Sequence, residues 1–100
     1  MSKRIELHEK AKNRFSFLED NLSIEVCFHH GLRAWVFDVE GKSYPSGGWR
    51  VLDRGWADSL DEIKLCIEDV LKVVKYGDCN VVIISEVDRL FEEAVFNERH

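Results

Sequence analysis

Residues 59–77 constrain this chain more than any other stretch, because they read as one amphipathic helix that must be covered. Leu60, Ile63, Ile67, Val70, Leu71 and Val74 recur at helical spacing, with Cys66 and Val73 at the margin of the stripe. Ser59 and Glu62 form an S-x-x-E capping box, and Asp58, Asp61 and Glu62 suit the positive end of a helix dipole. Lys72 and Lys75 suit the negative end, and Gly77 can adopt the left-handed conformation that closes a last turn. A stripe this broad requires a sheet or a second helix against it.

The rest of the chain supplies strands. Leu22, Ile24, Val26 and Phe28 alternate with Ser23, Glu25 and Cys27, the pattern of a half-buried strand. His29-His30-Gly31 predicts a reversal, and 32–39 returns as a second strand carrying Trp35 among apolar residues on both faces. Residues 40–48 hold the only proline and three of the six glycines, so they predict a loop. Residues 49–53 read as a short third strand, and Cys79 to Ile84 as a fourth. The spacing of Leu7, Ala11, Phe15 and Leu18 predicts a first helix over 4–19. Ser85 and Asp88 are expected to cap a last helix whose stripe is Val87, Leu90, Phe91, Ala94 and Val95.

The expected architecture is therefore one α+β domain over residues 1–100, in the order α-β-β-β-α-β-α. It is a three-stranded antiparallel meander with an added fourth strand, packed against helices. The fourth strand either runs parallel to a neighbour through the long helix as a crossover or adds at an edge. The first five elements resemble a double-stranded-RNA-binding domain in order alone. Such domains grip phosphate with a lysine-rich start to the second helix, whereas this one begins Asp58-Ser59-Leu60-Asp61-Glu62. Function does not follow from that likeness.

Charge and motif content narrow the function classes. The net charge of -5 is uneven: residues 1–56 hold nine Lys/Arg against eight Asp/Glu, and residues 57–100 hold five against eleven. An acidic second half repels a phosphate backbone and favours a basic partner. No apolar run is long enough for a membrane span, and charge interrupts the N-terminus, so a cytoplasmic protein is expected. Cys27, Cys66 and Cys79 lack paired spacing and read as small buried hydrophobes. No metal or other cofactor is expected, because His29 and His30 have no ligand-spaced companions beyond Cys27. No catalytic role is expected either. The best carboxylate pair, Asp38 and Asp53, and a His29/Cys27 or His/Asp site define only an alternative as a small enzyme. Ser46-Gly47-Gly48 lacks the surrounding pattern of a phosphate loop.

The functional signal is compositional. Lys42, Tyr44, Trp49, Arg50, Arg54 and Trp56 concentrate aromatic and guanidinium groups around one loop and strand, with Trp35 in the strand before it. These residue types anchor protein interfaces, since they combine large contact area with few torsions to order. The leading expectation is a small non-catalytic interaction protein, an inhibitor, adaptor or accessory regulator, that binds another protein through this surface. Leu65 and Tyr76 offer a weaker second contact, including a homodimer surface. The alternative is a nucleic-acid-associated regulator using Lys3, Lys10 and Arg14 together with Arg50 and Arg54.

Overall fold

The computed structural model describes residues 3–19, 21–42, 47–74 and 76–85. Six strands form one sheet: β1 (Lys3–Ala11), β2 (Arg14–Leu18), β3 (Leu22–His29), β4 (Ala34–Lys42), β5 (Trp49–Ala57) and β6 (Cys79–Ile84). One helix, α1 (Leu60–Val73), lies between the last two. The strand order is β5-β4-β3-β2-β1-β6, with β1 to β5 a continuous antiparallel meander and β6 parallel to β1. This corrects the expected three- or four-stranded meander with several helices. It is an α+β fold of six strands and a single helix among the described residues. The helix-strand order shared with double-stranded-RNA-binding domains disappears with that correction.

The overturned element is the first one. Residues 4–19 form a hairpin rather than a helix. Period two was present beneath the apparent period of four. Ile5 and Leu7 are buried on one face of β1, and Phe15 is buried in β2, whereas Ala11 and Leu18 of the supposed helical stripe are exposed. The turn is Lys12-Asn13. Asn13 takes a positive φ of 62°, which asparagine tolerates better than most residues. Lys10 is the extra residue of a bulge, since Glu9 pairs with Phe15 and Ala11 with Arg14. Glu9 is buried beside this turn, where its carboxylate accepts the Asn13 N–H at 3.0 Å and the Ser85 hydroxyl at 2.8 Å. The expected last helix begins at a described residue, Ser85, but otherwise lies outside the described residues.

α1 follows the sequence closely. Ser59 is the N-cap and its hydroxyl accepts the Glu62 N–H at 3.2 Å. The Glu62 carboxylate reaches back to the Asp58 N–H at 3.3 Å, one residue earlier than the usual capping box. Ile63, Ile67, Val70 and Leu71 face the sheet and are buried, in one core with Ile5, Leu7, Leu22, Ile24, Val26, Val39 and Val81. The helix leaves β5 at one edge and returns the chain to β6 at the other, so it covers one face of the sheet. Glu68 then accepts the Val81 N–H at 2.8 Å, satisfying a backbone donor on the edge strand β6.

The C-terminal end of α1 is tied to the sheet by three groups. Lys3 Nζ donates to Glu19 Oε2 at 3.0 Å and to the Tyr76 hydroxyl at 2.7 Å, and Tyr76 donates to the same Glu19 oxygen at 2.9 Å. Tyr76, expected to offer an outward contact, is partly buried against the core instead. The Lys3 hydrogen bond, followed by that of Tyr76, holds the Glu19 carboxyl below the usual carboxylate range. Tyr76 and then Glu19 push the Lys3 ammonium above its usual range. A depressed carboxyl stabilises the fold above its unfolded value, about 4.3, and the gain is lost as pH falls through the folded value. The raised lysine contributes fully below its unfolded value, about 10.4, and fades as pH rises through the folded one. Thermal melts of the parent and Glu19→Gln should therefore differ by a small, constant margin at neutral pH and converge in acid. The margin stays small because the pair is solvent-exposed. A difference that persists in acid would assign the effect to something other than this carboxylate.

Candidate functional site

The face of the sheet opposite α1 carries the aromatic cluster, and a β-bulge puts it there. Along β4, Val36, Asp38, Glu40 and Lys42 share one face by alternation. Their partners on β5 are Trp56, Arg54, Val51 and Trp49 in that order. Trp49 and Trp56 are seven residues apart, an odd spacing that sends two side chains to opposite faces of a regular strand. Leu52 is the extra residue between the pairs Val39–Asp53 and Glu40–Val51, and it restores the phase. Both tryptophans therefore stand on the open face, 43% and 64% exposed, with Val51 between them.

Cations and anions alternate with these rings. Lys42 Nζ lies 5.4 Å from the centre of the Trp49 ring, within cation–π range. Arg54 Nε is 3.3 Å from Asp38 Oδ2, while Asp38 Oδ1 is buried without a hydrogen-bond partner among the described residues. A cavity of ≈ 430 Å³ on this face runs between Glu25, Cys27, Val36 and Trp56. Asp53 Oδ1 accepts the Arg54 N–H at 2.8 Å on β5, an edge strand of the sheet.

The other expected residues are dispersed. Arg50 pairs with Gly41 and falls on the helix side of β5, away from Trp49 and Trp56. Trp35 is also on the helix side, half-buried, its ring 6.0 Å from Phe15 and 5.4 Å from Phe28 in tilted and edge-on contacts. Tyr44 lies outside the described residues. Of the basic residues expected on one helix flank, Lys3 is held by Glu19 and Tyr76, whereas Lys10 and Arg14 border a cavity of ≈ 200 Å³ beside Glu25 and Cys27. They come from two strands of a hairpin, not from a helix.

The polar groups weighed for chemistry do not converge. Asp38 pairs with Arg54 rather than with Asp53, which sits beside Val39 on the opposite face. His29 Nδ1 accepts the Leu32 N–H at 3.1 Å within the β3–β4 turn, where Arg33 rather than Gly31 takes the positive φ. His30 meets the Phe28 ring edge-on at 5.1 Å. The three cysteines are free, and burial pushes the Cys79 thiol up, away from the reactive thiolate. Among the described residues no group of three or more His, Cys, Asp or Glu is arranged to hold a metal ion. No helix among them is long and apolar enough to cross a membrane.

Sequence reasoning missed a second feature, on the helix side of β5. A cleft of ≈ 380 Å³ separates β5 from α1, floored by Phe37 and Leu52 and walled by Cys66, Val70 and Val73. Gly55 also lines it. The only signal was Val73 at the margin of the helical stripe, which packing would have been expected to cover but which is 79% exposed.

The fold and this surface define a small α+β domain with an exposed aromatic cluster and interspersed surface charge. No protein-family model matches the chain, and no curated protein or solved structure is significantly similar to it.

Proposed function

We propose that this chain is a small non-catalytic interaction module, an inhibitor, adaptor or accessory regulator, that binds another protein through the open face of β5. The observation that carries the reading is the pair Trp49 and Trp56, brought to one solvent-facing surface by the bulge at Leu52. Two large rings left in water contribute little to the fold. Set around Val51, with Arg54 and Lys42 at hand, they offer the aromatic and cationic contacts that dominate binding energy in protein interfaces.

The test is affinity capture from native-host lysate, with nuclease treatment in parallel. A stoichiometric protein partner that survives nuclease and moderate salt supports the reading. Trp56→Ala should then lower its affinity about a hundredfold and Trp49→Ala about tenfold, the range of interface anchors. Unchanged affinity in both variants would count against this surface. Loss of all retained material to nuclease would transfer the role to nucleic acid, with Lys10 and Arg14 the next residues to mutate.

A further inference from the structure

The cleft on the helix side of β5 has its own chemistry. Its floor and walls are apolar, with Leu52, Trp56, Val70 and Val73 in the lining. Two carboxylates, Asp53 from the strand and Asp69 from the helix, also line it, and its described lining holds no lysine or arginine. Val73 stands 79% exposed at its edge, and Leu65, elsewhere on α1, is 60% exposed. An apolar trough with anionic sides and no lysine or arginine among its described lining residues is complementary to a segment that is apolar on one side and cationic beside it. It is poorly complementary to itself, because a second copy would bring Asp53 and Asp69 against the same carboxylates. Nucleic acid is disfavoured by the same charges.

We infer that this cleft is the seat of a basic amphipathic segment of the partner protein, its apolar side chains on Leu52, Trp56 and Val73 and its cations beside Asp53 and Asp69. The inference rests on the interaction reading above and names the partner's chemistry. Trp56 borders the cleft as well as the open face, so one partner can wrap the β5 edge and use both.

The two surfaces separate by mutation. Val73 lines the cleft alone, whereas Trp49 is confined to the open face. The probe is a short fluorescent peptide of leucine and lysine with the leucines on one helical face, compared with its leucine–glutamate counterpart. Binding is read by anisotropy at low and high salt, and backbone-amide NMR shifts locate the contact. The expected result is saturable binding of the lysine peptide, mapped to residues 52–56 and 66–74 and weakened by salt. Val73→Lys and Asp69→Lys should each lower that affinity about tenfold or more, with Trp49→Ala neutral. Val73 and Asp69 are exposed, so thermal melts of both variants should match the parent and exclude misfolding.

Equal or tighter binding of the glutamate peptide would overturn the charge assignment and leave the aromatic surface standing. Binding lost in Trp49→Ala but not in Val73→Lys would move the site to the open face and overturn the cleft while keeping the interaction reading. Absence of binding by either peptide would overturn the inference. So would a dimer in sedimentation that Val73→Lys dissociates, since the occupant would then be a second copy.

Discussion

Ile67→Ala is expected to lower the unfolding free energy by about 3 kcal/mol, and Leu65→Ala, two residues away on the same helix, by less than about 0.5 kcal/mol. Ile67 is fully buried and shares one core with Ile5, Leu7, Ile24 and Val81, themselves fully buried, so removal of three carbons leaves space that cannot easily collapse. Leu65 is 60% exposed and leaves no cavity. For a domain of this size the first loss amounts to roughly 12–24 °C in thermal midpoint. Denaturant unfolding of the two variants measures the contrast. Equal losses would mean that α1 presents a different face to the sheet, and the cleft beside Val73 would then close as a site.

The contrast also shows where the sequence was readable. α1 was legible because three independent signals coincided on it: the stripe, the Ser59 cap and the placement of Asp61, Glu62 and Lys72. β3 was legible because its partners on both sides left a clean alternation, with Leu22, Ile24 and Val26 buried and Glu25 exposed. The first hairpin was not. Leu7 and Phe15 are eight residues apart, a distance that fits two helical turns as well as it fits two strands joined by a tight turn. Only the pairs Ile5 with Leu7 and Phe15 with Phe17 separated the two, and a buried Glu9 broke the apolar pattern between them. Tertiary pairing with β6 and β3 then decided the outcome.

The aromatic cluster was legible as composition and illegible as geometry. Trp49, Arg50, Arg54 and Trp56 fall within eight residues of sequence, but which of them share a face depends on the bulge at Leu52. That bulge has no strong local signature. It groups Arg54 with the tryptophans and sends Arg50 to the other side, a division that a regular strand would have drawn differently. The cleft was still harder to foresee, because it exists between two elements, β5 and α1, that are paired only in the folded chain.

Gly55, in the lining of that cleft, supplies the second large effect. Gly55→Ala is expected to cost about 2 kcal/mol, within the range for overpacking a filled site. Gly55 is not required for its backbone: among the described glycines only Gly47 and Gly77 have positive φ. It is required for space. A Cβ built on Gly55 would lie 2.7 Å from Cε1 and 2.9 Å from Cζ of Phe37, its cross-strand partner. Phe37 is 6% exposed and belongs to the core, so its ring cannot swing into solvent without surrendering that packing. Phe37→Leu removes the ring atoms in conflict. In the Phe37→Leu background, Gly55→Ala should therefore cost at least 1 kcal/mol less than in the parent, a coupling of the size found for residues in direct contact. A double-mutant cycle by denaturant unfolding measures it. A Gly55→Ala cost that is the same in both backgrounds would separate the glycine from the ring. Coupling of the expected size would mean that β5 lies this close to the Phe37 ring only because position 55 carries no side chain.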